Sequence, residues 1–188
     1  MSVMEPQQTP LQSAQSAAKK ILLVEDDDAL ASVYQTRLEA EGFFLRRVPN
    51  GEEALSATLE FKPDLILLDV MMPGIDGFEV CRLIRQRNTQ AYLPIIMLTA
   101  LDNPNAVAKG LDAGADDFIT KPARRLELRA RVRSMLRIRQ QHMAIVQQAN
   151  QLEELNNQRE DLVRMVVHDL RSPVTAVQLA ASALLANE

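Results

Sequence analysis

At 188 residues the chain has room for one full domain and a smaller extra piece. A hydrophobic fraction of 47% suffices for one core, but aromatics make up only 4% and Trp is absent, so Leu, Ile, Val and Met must fill it. The net charge of −4 gives no overall attraction to nucleic acid or anionic membranes, and the one cysteine, Cys81, excludes an internal disulfide and a multi-cysteine zinc site.

Residues 1–18 are rich in Gln, Ser, Ala and Pro and nearly lack large apolar side chains, which predicts a flexible leader. They carry no basic start followed by an apolar block, so they do not read as a signal peptide. No apolar run reaches the roughly 20 residues that span a bilayer, and the expectation is a cytoplasmic protein without membrane contact.

From Lys20 the texture changes. Ile21-Leu22-Leu23-Val24, Leu65-Ile66-Leu67-Leu68 and Ile95-Ile96-Met97-Leu98 read as strands buried on both faces. Phe43 to Val48 and Phe118-Ile119-Thr120 are weaker strand candidates. Helical segments are predicted near 29–41, 52–61, 77–87 and 104–113. Asp27 or Asp28 can cap the first and Gly42 can end it, while Asn50-Gly51 marks the start of the second. Cys81 falls in the third, where a buried, inert thiol is expected. Strand and helix alternating five times predicts an α/β fold with a five-stranded parallel sheet covered by helices on both faces.

Residues 124–172 contain neither Gly nor Pro and read as one long helix, or two joined end to end. Ile138, Ile145, Leu152 and Val166 recur at seven-residue spacing, with Leu155 and Leu162 on a neighbouring position and Arg159 interrupting the stripe. This coiled-coil pattern predicts a parallel homodimer through residues 138–170. Arg124, Arg125, Arg129, Arg131, Arg133, Arg137 and Arg139 form a basic run, read as a solvated face paired with acidic neighbours rather than a nucleic-acid surface.

In parallel α/β sheets function gathers at the carboxyl ends of the strands. The first strand ends in Glu25-Asp26-Asp27 and the third in Asp69; the fourth ends at Thr99 and the fifth at Lys121. Side by side, these strands would bring several carboxylates, a hydroxyl and an ammonium to one spot. Close carboxylates repel unless a cation neutralises them, and an all-oxygen site of this kind suits Mg²⁺. With an aspartate as nucleophile, such a site can accept a phosphoryl group as an acyl phosphate.

Residues 20–137, including the run from Leu68-Asp69-Val70 to Ile75-Asp76-Gly77, resemble the receiver domain of response regulators in two-component signalling. The resemblance implies a flavodoxin-like (βα)5 fold with strand order 2-1-3-4-5, extended here by the long C-terminal coiled-coil helix. It implies Asp69 as phosphoacceptor, Asp26 as direct metal ligand, Glu25 acting through water, and the Met71 carbonyl as a further ligand. Thr99 and Lys121 match the residues that read the phosphoryl group, and Phe118 matches the aromatic whose rotamer follows Thr99. The Lys121-Pro122 bond is expected to be cis. The implied phosphodonor is a histidine kinase or phosphotransfer protein. Asp27, Asp28 and Asp76 read as caps or turn residues.

Val166-Val167-His168-Asp169-Leu170-Arg171-Ser172-Pro173 resembles the phosphoacceptor box of histidine kinase dimerisation domains, with His168 as nucleophile and Asp169 as its base. Pro173 would bend the helix, and Ser172 stands where phosphatase activity prefers Thr or Asn. His142 has no such context and is expected at the surface. The expected organisation is a leader over 1–18, a receiver over 19–137, a coiled-coil signalling helix over 138–163 and a truncated first dimerisation helix over 164–188. No ATP-binding boxes follow, so the sequence resembles the N-terminal part of a receiver-first hybrid histidine kinase that is not a kinase by itself. The competing readings are a DNA-binding type of response regulator and a dimerising scaffold indifferent to phosphorylation.

Overall fold

Five short apolar runs, each followed by turn or capping residues, become the strands of the computed structural model, which describes residues 18–87, 92–100 and 104–185. In chain order the elements are β1 (Lys20–Val24), α1 (Asp28–Glu39), β2 (Phe44–Val48), α2 (Gly51–Phe61) and β3 (Leu65–Asp69). They continue with α3 (Gly77–Arg87), β4 (Ile95–Thr99), α4 (Pro104–Asp112), β5 (Asp117–Thr120) and α5 (Arg125–Leu185). The leader expected over 1–18 lies, apart from residue 18, outside the described residues.

The strands form one parallel sheet in the order β2-β1-β3-β4-β5, as expected. The order reverses between β1 and β3, and that is where the acidic loops meet.

Successive residues of a strand face opposite sides, so each inner strand feeds two cores. Leu22, Val24, Ile66, Leu68 and Met97 pack on one side with Ala54 of α2 and Val80, Cys81 and Ile84 of α3. Ile21, Leu23, Leu65, Leu67, Ile96 and Leu98 pack on the other with Ala31, Tyr34 and Leu38 of α1 and Leu128, Val132 and Leu136 of α5. Each fully buried aliphatic side chain stabilises this arrangement by about 1.5–3 kcal/mol relative to exposure. Cys81 is buried, and burial pushes its thiol up to about 11, which keeps it inert.

The helix starts follow the capping residues. Asp27 Oδ1 accepts from the N–H groups of Ala29 and Leu30 at 2.8 and 3.0 Å, and Asn50 Oδ1 accepts from Glu53 at 2.9 Å. Asp76 does the same for Glu79 at 2.8 Å. Gly42 takes a positive φ of 85° just beyond α1. The Lys121-Pro122 peptide is cis.

The chain divides into two compact units, Met1–Gln141 and His142–Glu188. The helix α5 is a single element of 61 residues, and it continues through Pro173 to Leu185. A proline in a helix removes one backbone hydrogen bond, a loss that the rest of a long helix can absorb. Its first turns are anchored by buried leucines, whereas Ile138, Ile145, Leu152, Leu155 and Leu162 are exposed. Among the described residues no helix is long and apolar enough to cross a membrane.

Candidate functional site

The carboxyl ends of β1, β3 and β5 deliver the charged residues. Glu25 follows β1 directly, Asp69 closes β3, and Lys121 follows β5. Glu25 and Asp69 are buried, with 0% and 3% of their surface exposed, whereas Asp26 is open to solvent. One carboxylate oxygen from each of Glu25, Asp26 and Asp69 lies within 4.8 Å of the other two.

Lys121 ties this cluster together. Its Nζ is 2.8 Å from Asp69 Oδ2 and 2.8 Å from both oxygens of Glu25, but only the Oε1 contact has hydrogen-bond geometry. Glu25 Oε2 is thus a buried oxygen that accepts no hydrogen bond. Burial pushes the Glu25 carboxyl above its ordinary range; the Lys121 hydrogen bond opposes this, and the Asp69 charge adds to it. Burial pulls the Lys121 ammonium down, but hydrogen bonds to Asp69 and Glu25 outweigh it, and its pKa is raised.

An ammonium between two buried carboxylates, with a third beside them, leaves the cluster short of positive charge. The donors are all oxygen, and one buried oxygen is unsatisfied. This set fits a small, hard divalent cation.

Of the other sequence-predicted residues, Met71 lies just beyond the end of β3 and Thr99 at the end of β4. Asp69 Oδ1 also accepts from the Met71 N–H at 3.1 Å, while the Met71 side chain is exposed. Thr99 is buried at the end of β4, one residue beyond the Leu98 that pairs in register with Asp69, and its carbonyl accepts from the Lys121 N–H at 2.8 Å. Phe118 on β5 is half-buried against the core. Its ring lies over Gly110 of α4, where an added Cβ would meet Phe118 Cζ at 2.5 Å. His168 and Asp169 lie on α5 in the second unit, and their side chains are outside the described residues. His142 is exposed, as expected.

Three supporting residues were not singled out by the sequence reading. Tyr34 Oη accepts from the Ala123 N–H at 3.2 Å, and Arg37 donates to the Ala123 carbonyl at 2.7 Å. Both come from α1, and together they hold the turn that carries Lys121. Arg47 of β2 grips the loop that carries Glu25 and Asp26. An arginine in a short edge strand beside the switch point is the signal that was available in the sequence.

Five of the seven arginines of the basic run, Arg125, Arg129, Arg131, Arg133 and Arg139, are paired with acidic residues. Arg125, Arg129 and Arg133 gather around Glu41 at 3.6, 3.5 and 2.9 Å, and Arg131 reaches Asp117 at 2.7 Å. Arg139 lies 3.4 Å from Asp64 and donates to the Tyr92 carbonyl.

Comparison with known proteins places these features in context. The sequence model of the response regulator receiver domain matches residues 21–133. The chain is 47% identical over 117 residues to the transcriptional regulatory protein AfsQ1 of Streptomyces coelicolor, covering 62% of this chain and 51% of that protein. It is 48% identical over 118 residues to the phosphate regulon transcriptional regulatory protein PhoB of Rhizobium meliloti, covering 63% and 52%. The chain therefore spans about half the length of the curated relatives it matches. Among solved structures it is similar to the signal receiver domain of a signal transduction histidine kinase from Syntrophus aciditrophicus, with 39% identity, a TM-score of 0.59, and coverage of 63% of this chain and 90% of that one. The BeF3-activated N-terminal receiver domain of RstA from Klebsiella pneumoniae is similar at 37% identity and a TM-score of 0.59, with 63% and 99% covered.

Proposed function

This chain belongs to the response regulator receiver domain family of two-component signalling, and from that membership we propose that it accepts a phosphoryl group on Asp69, in a Mg²⁺-dependent reaction, from a phosphohistidine donor. The observation that carries this reading is Lys121 Nζ at 2.8 Å from both Asp69 and Glu25, in a pocket where three carboxylates converge.

Glu25, Asp26, Asp69 and the Met71 carbonyl would hold the ion, whose charge lets an anionic donor approach an anionic nucleophile. An Asp69 carboxylate oxygen attacks phosphorus and forms an O–P bond. The P–N bond of the donor breaks, its electron pair returns to the imidazole, and Asp69 becomes an acyl phosphate. Lys121 then pairs with a phosphoryl oxygen, and the Thr99 hydroxyl donates a hydrogen bond to another. Phe118 responds to the new position of Thr99, which shifts a two-state equilibrium in the face formed by α4, β5 and α5.

The reading extends to the helix. Residues 19–137 are the receiver, 138–163 a coiled-coil signalling helix, and 164–188 the start of a histidine kinase dimerisation domain in which His168 is the nucleophile and Asp169 its base. The exposed stripe of Ile138, Ile145, Leu152, Leu155 and Leu162 supports a parallel homodimer through residues 138–170. The donor is a histidine kinase or a phosphotransfer protein.

A DNA-binding regulator is the second reading, favoured by the names of the curated relatives, which include the DNA-binding response regulator MtrA of Mycolicibacterium smegmatis. The ion pairing of Arg125, Arg129, Arg131 and Arg133 weighs against using this basic run for DNA. Filter binding to duplex DNA at physiological salt separates the two.

The direct test of the main reading is intact mass after incubation with acetyl phosphate and Mg²⁺. One phosphoryl adduct that needs Mg²⁺, is lost in Asp69→Asn and persists in His168→Ala supports it. An adduct that survives Asp69→Asn overturns it, and no adduct at all favours the phosphorylation-independent scaffold.

A further inference from the structure

We propose that Arg47 is a positioning residue for the acidic pair, holding the Glu25–Asp26 loop by its backbone carbonyls so that both carboxylates face a divalent cation. This rests on the magnesium-dependent reading of the pocket. From the edge strand β2, Arg47 Nη2 donates to the Glu25 carbonyl at 2.9 Å and to the Asp26 carbonyl at 3.3 Å. Arg47 Nε donates to the same Glu25 carbonyl at 3.2 Å. The Glu25 N–H donates to the Val48 carbonyl at 3.1 Å, so adjacent residues at the end of β2 hold both backbone groups of Glu25.

The loop needs such a hold. Three carboxylates with oxygens within 4.8 Å of one another repel, and the outward direction is open to solvent at Asp26. Lys121 restrains Glu25 and Asp69 through their side chains. Arg47 reaches Asp26 through its backbone instead, which leaves the Asp26 carboxylate available.

Charge accounting explains how a cation can serve beside a cation site. Arg47 Nη1 is 2.5 Å from Asp28 Oδ1, at the first residue of α1. The Asp28 carboxylate offsets the guanidinium charge, so Arg47 supplies hydrogen-bond donors without a net charge that would repel a metal ion. The planar fork matters as well: three donor nitrogens diverge to two carbonyls and one carboxylate, which a lysine ammonium on a single stem cannot reproduce.

Positioning and simple electrostatics predict opposite results, which makes the proposal testable by calorimetric titration of the full chain with MgCl₂. If Arg47 acted only through its charge, Arg47→Met would bind Mg²⁺ more tightly and Arg47→Lys would bind as the native chain does. If Arg47 positions the loop, both variants bind Mg²⁺ about 10-fold more weakly, the scale on which groups that orient metal ligands act. Amide hydrogen exchange at Glu25, whose N–H donates to the Val48 carbonyl, then speeds up in both, while helix content by circular dichroism in EDTA stays native.

Unchanged or tighter binding in Arg47→Lys overturns the proposal, as does weaker binding that merely follows lost helix content. If the native chain itself gives no Mg²⁺ heat or metal-induced stabilisation, the magnesium reading falls, and the role of Arg47 falls with it.

Discussion

Gly77 lies so close beneath Asp69 that a Cβ built on it would stand 2.2 Å from the Asp69 carbonyl oxygen and 2.9 Å from the Val70 Cα. The Gly77 N–H donates to the Val70 carbonyl at 3.0 Å, so the start of α3 is seated on the backbone that carries the candidate nucleophile. Both clashing atoms are main chain and cannot swing away. Gly77→Ala is therefore expected to destabilise the chain by about 3 kcal/mol or more, at the upper end for overpacking. Urea unfolding measures this, and a cost below about 1 kcal/mol would mean that the start of α3 shifts to admit the methyl group.

Gly110 offers a contrast. An added Cβ there meets Phe118 Cζ at 2.5 Å, Phe118 Cε1 at 2.6 Å and Met97 Sδ at 3.0 Å, all side-chain atoms. Gly110→Ala should cost roughly 1–3 kcal/mol and displace the Phe118 ring. In a Phe118→Leu background the same change should cost at least about 1 kcal/mol less, because the obstructing ring is gone. A double-mutant cycle by urea unfolding checks it; additivity would show that Phe118 is not what Gly110 makes room for.

Among the described residues Lys121 is the cation that bridges Glu25 and Asp69, at 2.8 Å from each. Lys121→Met removes that cation and leaves two buried carboxylates facing each other. The expected loss is about 3 kcal/mol at pH 7, since breaking a buried pair strands a charge. Added Mg²⁺ should restore part of it, as a melting temperature that rises more steeply with Mg²⁺ than in the native chain. A variant as stable as the native chain in EDTA would remove Lys121 from the balance of charge.

Glu25 predicts a pH dependence. Its folded pKa is raised above the ordinary glutamate value, chiefly by burial, so its contribution to stability is fully present below that ordinary value. The contribution is lost as pH rises through the raised folded value. Glu25→Gln has no such loss, and at pH 7 without metal it should melt a few degrees higher, the scale of about 1 kcal/mol in a domain of this size. The gap should close as the pH is lowered through the Glu25 titration. Thermal melts from pH 4 to pH 8 in EDTA test the sign, and a Glu25→Gln chain that is less stable at pH 7 would contradict it.

The exposed leucines of α5 give a prediction about assembly. Leu152 and Leu155 are 68% and 61% exposed in the single chain. If they form the seam of a homodimer, Leu152→Glu or Leu155→Glu should weaken association by about 2 kcal/mol, roughly 30-fold. Sedimentation equilibrium reads this, and a native chain that is monomeric at high concentration would exclude the dimer.

The sheet and the pocket's charged residues were legible because both rest on local patterns. Runs such as Leu65-Ile66-Leu67-Leu68 suit strands buried on both faces, and each ends in the residue that the site uses. Asp27, Asn50 and Asp76 were legible as helix or turn signals because a cap acts on N–H groups two or three residues away.

The chain alone determined which chemistry is possible: three carboxylates, a threonine and a lysine at strand ends, in an order that a parallel sheet brings together. Tertiary structure decided how that chemistry is held. Arg47 meets the Glu25 carbonyl across 22 residues, Arg37 meets Ala123 across 86, and Tyr34 meets Ala123 across 89. No periodicity or local spacing encodes such contacts, because they arise only when α1 and β2 pack beside the loops they support. The same packing buries Glu25 and seats Lys121 between two carboxylates, turning a list of acidic residues into a pocket short of positive charge.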